Sequence, residues 1–266
     1  MVEKLDSINI IMTINPLTLQ LIVGALIGLG AGYVGSFMIL KKMSLVGDAL
    51  SHVALPGIAL ALLFQFNPFL GAFGALFIAI VAIWSLEKNT ELPSETLVGI
   101  IFTSALAIGL LITPEPELLE ALFGNISKVG QIDLWITIAL TAFVMITMLK
   151  IAKPVMLGII SKDLSRSMNV SINKINFLFL ALVSIIVALG LKVVGTLLMG
   201  SMVIIPAAAA KNISINLSKY NFLAGFFGVL SAIVGILIAN HFSLQSGPIV
   251  VLSAGGIFLA TLLFKK

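Results

Sequence analysis

Residues 17–64 read LTLQLIVGALIGLGAGYVGSFMILKKMSLVGDALSHVALPGIALALLF. Two apolar runs flank the pair Lys41–Lys42, and each is long enough to cross a bilayer, which takes roughly 20 mostly apolar residues of helix. That pattern decides the fold class: a hairpin of membrane helices with its basic turn on one side. The second run is unusual. Its stretch SLVGDALSHVALPG (44–57) carries Asp48 and His52 four residues apart and Pro56 four residues later. Ionisable groups in a membrane helix are costly and face a protein interior or a water-filled path.

The same reading extends along the chain. Of 266 residues, 60% are hydrophobic and 10% charged, against about a quarter charged in a soluble domain, and the mean hydropathy is +1.20. Apolar stretches fall at about 17–40, 44–64, 68–86, 96–113, 133–150, 175–191, 193–210, 220–239 and 247–264. The fold class is therefore all-α, a polytopic transmembrane helical bundle of about nine spans. Short connections between the last two pairs keep eight open. The whole chain, 1–266, reads as one transmembrane domain, with an outer loop at about 114–132 and an inner segment at about 151–174. Placing the N-terminus outside and the C-terminus inside leaves 12 of the 15 basic residues on the inner side, as the positive-inside bias requires. INIIMTI (8–14) lacks a basic start and a small-residue cleavage site, so no cleavable signal is expected.

Composition excludes several functions. There is no cysteine, hence no disulfide, thiolate metal site or thiol catalysis. The net charge of +4 comes from lysines scattered at the ends of apolar runs, which is a topology signal and predicts no nucleic-acid partner. No GxxxxGK[ST] phosphate loop, GxSxG elbow or HExxH helix is present. A transporter of this sequence would draw on an ion gradient or on a separate ATPase, and it would not itself be an enzyme.

Asp48 and His52 share one helix face. By this topology Asp48 is the one acidic residue placed inside a span. Carboxylate oxygen and imidazole nitrogen suit borderline divalent metals such as zinc, manganese and ferrous iron. Two ligands do not complete a shell, but a two-fold dimer would supply four. Proton relay and a hydrogen-bonded pair gluing helices are the other readings of the same two residues. Pro56 removes the N–H that would bond the His52 carbonyl. It and Gly57 would let the second span flex, and Pro206 the seventh, unless these residues only shape static packing. Gly24, Gly28 and Gly32 form overlapping GxxxG units, read as close helix packing.

On the inner side, IISKDLSRSMNV (159–170) sets Ile160, Leu164 and Met168 at steps of four among Lys162, Asp163 and Arg166. This is a short amphipathic helix fit for a groove on a partner or for the membrane surface. The outer segment opens with Glu115, Glu117 and Glu120 and continues ALFGN. His241, in ANHFSLQSGP, reads as an exposed loop histidine.

At this point the chain resembles a family. MSLVGDALSHVALPGIAL (43–60), TLVGIIFTSALAIGLLI (96–112), ALFGNI (121–126), KDLSRSMNV (162–170), VGTLLMGSMVIIPAAAA (194–210) and SGPIVVLSAGGIFLATLL (246–263) are similar to elements of the membrane permeases of ATP-binding-cassette importers for manganese, zinc and iron. The resemblance implies a homodimeric permease in a prokaryotic cell membrane, a cytoplasmic ATPase dimer and an extracellular metal-binding protein. It implies that Asp48 and His52 contact a divalent metal in transit, the metal being substrate with no permanently bound cofactor. It also implies that Lys162, Asp163, Leu164, Arg166 and Met168 couple to the ATPase. The inner segment departs from the family pattern at Asn169, where glycine is common, and at Ser165 and Ser167, where alanines are. A gradient-driven metal or proton transporter is the alternative. A membrane enzyme using Asp48 and His52 as acid and base would need a second polar cluster, which the spans do not offer.

Overall fold

The computed structural model describes residues 15–113, 115–161, 165, 167–168 and 171–264. In chain order the helices are α1 (Pro16–Leu40), α2 (Ser44–Val53), α3 (Leu55–Leu63), α4 (Pro68–Asn89), α5 (Ser94–Ile112), α6 (Glu115–Phe123), α7 (Gln131–Ile160), α8 (Ile172–Val194), α9 (Met199–Ile213), α10 (Leu217–His241) and α11 (Ser246–Leu262). A single 3-10 turn, Ile126–Lys128, joins α6 to α7. In lipid, helices satisfy every backbone polar group within the segment, and no strand occurs among the described residues.

Seven of these segments are long and apolar enough to cross a membrane: α1, α2–α3 together, α4, α5, α7, α8 and α10. The sequence predicts nine. The other two apolar stretches are helical but shorter, α9 with 15 residues and α11 with 17. The seventh predicted span begins late because residues 195–198 form a turn, with Gly195 at φ +82°. The fifth predicted span runs longer than expected. α7 continues through Pro154 to Ile160, so the first part of the predicted inner segment extends that helix.

Local signals place the helix starts. Asn15 and Asn67 each precede a proline, and each side-chain oxygen accepts the N–H of the second residue on, Leu17 at 3.0 Å and Phe69 at 2.9 Å. An N-cap asparagine followed by proline satisfies one orphan donor and removes another. Asn216 caps α10 in the same way through the Lys219 N–H at 2.8 Å.

The bundle is built around α1, which is apolar on all sides and largely enclosed. Its glycines let backbones touch. A Cβ on Gly28 would overlap the carbonyl of Gly228, and one on Gly32 the carbonyl of Ala224, so α1 lies directly on α10. Gly35 meets the Val203 carbonyl in the same manner and brings α9 onto α1. The contact holds one buried polar pair, Ser36 Oγ 2.8 Å from Asn221 Oδ1. α8 closes the other side of the core, with Phe179, Leu182 and Ile186 fully buried. α4, α5 and α7 present most of their apolar surface outward, as helices bathed in lipid do.

One basic residue ties the α1–α2 turn to α8. Lys41 Nζ donates to Asn176 Oδ1 at 2.7 Å and lies 5.4 Å from the Phe179 ring centroid. Burial pushes this ammonium below its usual pKa, while nearby Glu87 works in the opposite direction.

The glycine contacts predict a sharp contrast. Gly28→Val should lower the thermal midpoint of the purified protein by the cost of overpacking, about 1–3 kcal/mol or more. Gly99→Ala, whose added Cβ meets nothing within 4 Å, should leave the midpoint unchanged or higher. Circular-dichroism melts in detergent read both.

Candidate metal site

Pro56 decides the shape of the site. It cannot donate to the His52 carbonyl, so α2 ends at Val53 after 10 residues and α3 restarts at Leu55. Proline is tolerated there because it occupies the first turn of the new helix. Ala54 bridges the two helices, and the ladder resumes with the Ile58 N–H on Ala54 O at 3.0 Å. Asp48 thus lies mid-helix and His52 in the last turn, on the same face of one short helix.

The neighbours of α2 arrive through small residues. A Cβ on Gly200 of α9 would lie 2.5 Å from Asp48 Cβ and 2.7 Å from Asp48 Oδ1, so that glycine seats the carboxylate. On α5, a Cβ on Gly109 would fall 2.8 Å from Leu55 Cβ and 3.2 Å from Pro56 Cδ. α5 therefore packs against the break itself. Gly57 faces the Gly71 carbonyl of α4 and Gly71 faces the Gly57 carbonyl, a mutual backbone contact that fixes α3. Ser51 Oγ donates back to Gly47 O at 2.8 Å and needs no further partner.

His52 is buried, at 8% exposure, with its ring 5.4 Å from that of Phe102 at 46°. Its Nδ1 has no hydrogen-bond partner. A buried polar atom left unmatched costs about 1–3 kcal/mol, an expense that a ligand able to reach the imidazole would offset. Asp48 is half-buried. Among the described residues no group of three or more His, Asp or Glu could hold a metal ion. The pair offers a carboxylate and an imidazole, two of the four or more donors that a zinc or manganese ion takes.

Two cavities lie at the end of the bundle where α6 sits. One of about 530 Å³ is lined by polar groups including Gln20, Glu120, Asn125, Asn240 and Gln245. A second of about 460 Å³ is mainly apolar, with Ile58, Leu62 and Phe69, and is bordered by the ion pairs Lys128–Glu120 at 2.7 Å and Lys192–Asp133 at 2.6 Å. Glu120 and Lys128 neutralise each other.

The remaining predicted residues are dispersed. Pro206 is buried inside α9. Met168 is exposed, at 58%. Lys162, Asp163, Leu164 and Arg166 lie outside the described residues, as do the side chains of Glu115 and Glu117. His241 is exposed at the end of α10, edge-on to Phe242. The sequence reading missed Gly200, Gly109 and Phe102 as the walls around Asp48, Pro56 and His52. Gly200 and Gly109 stand within long apolar runs, where nothing local distinguishes a glycine under a carboxylate from one in ordinary packing.

Residues 14–265 match the ABC 3 transport family. The manganese import system permease protein ScaB of Streptococcus parasanguinis is 34% identical over 243 residues, covering 90% of this chain and 87% of the relative. The manganese transport system membrane protein MntC of Halalkalibacterium halodurans is 31% identical over 245 residues, covering 90% and 84%. The high-affinity zinc uptake system membrane protein ZnuB of Haemophilus influenzae is 31% identical over 252 residues, covering 92% and 96%. Among solved structures, PsaBC from Streptococcus pneumoniae in complex with Fab superposes with a TM-score of 0.82 at 30% identity, over 98% of this chain and 95% of that one.

Gly200→Ala should displace Asp48, since the new methyl cannot coexist with the carboxylate where it stands. The expected result is a lower thermal midpoint, partly restored in Gly200→Ala/Asp48→Gly, where the crowding is relieved. An unchanged midpoint in the single variant would mean that α2 and α9 are not in contact.

Proposed function

The chain belongs to the ABC 3 transport family, and on that premise we propose that it is the membrane permease of an ATP-driven importer whose cargo is a divalent transition metal, manganese or zinc. It is a multi-pass protein of the plasma membrane and a transport subunit rather than an enzyme, with ATP hydrolysis on a separate chain. The observation that carries the cargo assignment is the Asp48–His52 pair, one turn apart on α2, with the buried His52 Nδ1 lacking a hydrogen-bond partner. An ionisable pair is kept in an apolar bundle at a cost, and cargo recognition gives that cost a purpose. The curated relatives named for manganese and for zinc transport favour the same ion class.

Two copies of the chain meet about a two-fold axis that brings both α2 helices together. The ion then receives two carboxylates and two imidazoles, a set suited to zinc or to the protein part of a manganese site. An extracellular metal-binding protein delivers the ion on the side where α6 lies, with the N-terminus outside and the C-terminus inside. A cytoplasmic ATPase dimer engages the segment 162–168, through Lys162, Asp163, Leu164, Arg166 and Met168. Closure of the ATPases rocks the bundle between outward-open and inward-open arrangements. The break at Ala54–Pro56, with Gly57 beside it, is where α2 swings relative to α3, and Pro206, inside α9, is a second point of flexing.

Isothermal titration of the purified permease with manganese and with zinc tests this reading. The expected result is about one ion per two chains in the wild type, lost in both Asp48→Ala and His52→Ala. Binding that survives in both variants would remove the metal role and leave the pair as packing.

A further inference from the structure

The α6 end contains a feature that the metal site does not explain. The last turn of α6 with the residues just after it is joined by backbone hydrogen bonds to the end of α8 and the turn between α8 and α9. The Thr196 N–H donates to Ala121 O at 2.9 Å, the Leu197 N–H to Leu122 O at 3.0 Å, and the Asn125 N–H to Lys192 O at 2.9 Å. Two left-handed glycines make the approach possible, Gly124 at φ +70° and Gly195 at φ +82°. A Cβ on Gly124 would lie 2.6 Å from Gly195 N, and one on Gly195 would lie 2.5 Å from Gly124 N. α11 buttresses the junction. Its Gly247 would place a Cβ 2.7 Å from both Phe123 O and Val194 O, and Ser246 Oγ donates to Val193 O at 3.3 Å.

This clasp is close in sequence to the metal helix's neighbour. Four residues separate Gly195 from Gly200, which has no room for a Cβ against Asp48. Three of those four residues are the turn 196–198, itself pinned at Thr196 and Leu197 by the clasp. The clasp thus links α6, exposed at Leu119 and Glu120, through one short turn to the residue that seats the Asp48 carboxylate.

We propose that Gly124 and Gly195 lock α6, the 195–198 turn and the first turn of α9 into one body, so that displacement of α6 at the outer face alters the seating of Gly200 on Asp48 and hence the hold on the metal. They are positioning residues, acting on the ion through Gly200. The proposal rests on the reading of Asp48 as a metal ligand. It adds a route by which contact at the outer face, where a delivery protein arrives, reaches the site without touching it.

Coupling is reciprocal: if moving the clasp alters metal affinity, binding metal must stabilise the clasp. Hydrogen exchange of the full-length wild-type permease, with and without saturating manganese, reads this at the Thr196, Leu197 and Asn125 amides. Exchange there should slow about 5-fold or more on manganese binding, and should not slow in Asp48→Ala. Gly195→Ala should weaken manganese binding about 10-fold at unchanged stoichiometry, with Gly99→Ala as the unaffected control. If manganese binds at Asp48 and the clasp amides exchange at the same rate, the proposal is overturned. If manganese does not bind the wild type, it is the metal reading that fails. Should Gly195→Ala not fold, the wild-type exchange decides alone.

Discussion

In a bilayer, apolar side chains gain little by leaving lipid for one another, so helices associate through close packing of small residues. This constraint shapes the whole protein. Gly28 and Gly228 bring α1 and α10 to backbone contact, Gly35 brings α9 against α1, and Gly57 and Gly71 do the same for α3 and α4. The site is one more instance. Asp48 sits where it does because Gly200 leaves room for it, and Pro56 because Gly109 does. A larger residue at Gly200 would push α2 away from α9, and one at Gly109 would push the start of α3 away from α5.

The break at Ala54 follows from one missing N–H. Pro56 splits what would be a single 20-residue span, Ser44–Leu63, into two helices with a joint beside the ionisable pair. A membrane helix tolerates such a break where neighbouring helices pack around it, and here α5 and α4 do. The joint thus lies within one turn of His52, where rotation of a short helix would carry both candidate ligands together. Membership of the ABC 3 transport family weighs against the gradient-driven alternative.

Much of this was legible in the sequence. Hydropathy located every apolar helix, since length and composition alone mark a segment that can stay in lipid. The Asp48–His52 pair stood out because charge is rare there. What sequence could not show was anything set by contact between distant segments. α9 reads as a longer span because the residues before it are apolar, yet the clasp holds 195–198 in a turn. α7 runs ten residues past its predicted end because Ile151, Val155 and their neighbours continue the helix, and Pro154 does not stop it. Lys41 looked like a simple topology signal and is half-buried on Asn176 and Phe179. The outer segment at about 114–132 reads as a loop, but its α6 is helical and Glu120 is paired with Lys128.

We propose that two copies of α2 share one ion through Asp48 and His52. X-ray absorption spectroscopy of the zinc-loaded permease tests it most directly, because imidazole ligands leave a distinctive outer-shell scattering pattern. The expected shell has two imidazoles and oxygen donors per zinc, with the imidazole signal lost in His52→Ala. A zinc shell without imidazole, or an imidazole signal that persists in His52→Ala, would contradict it.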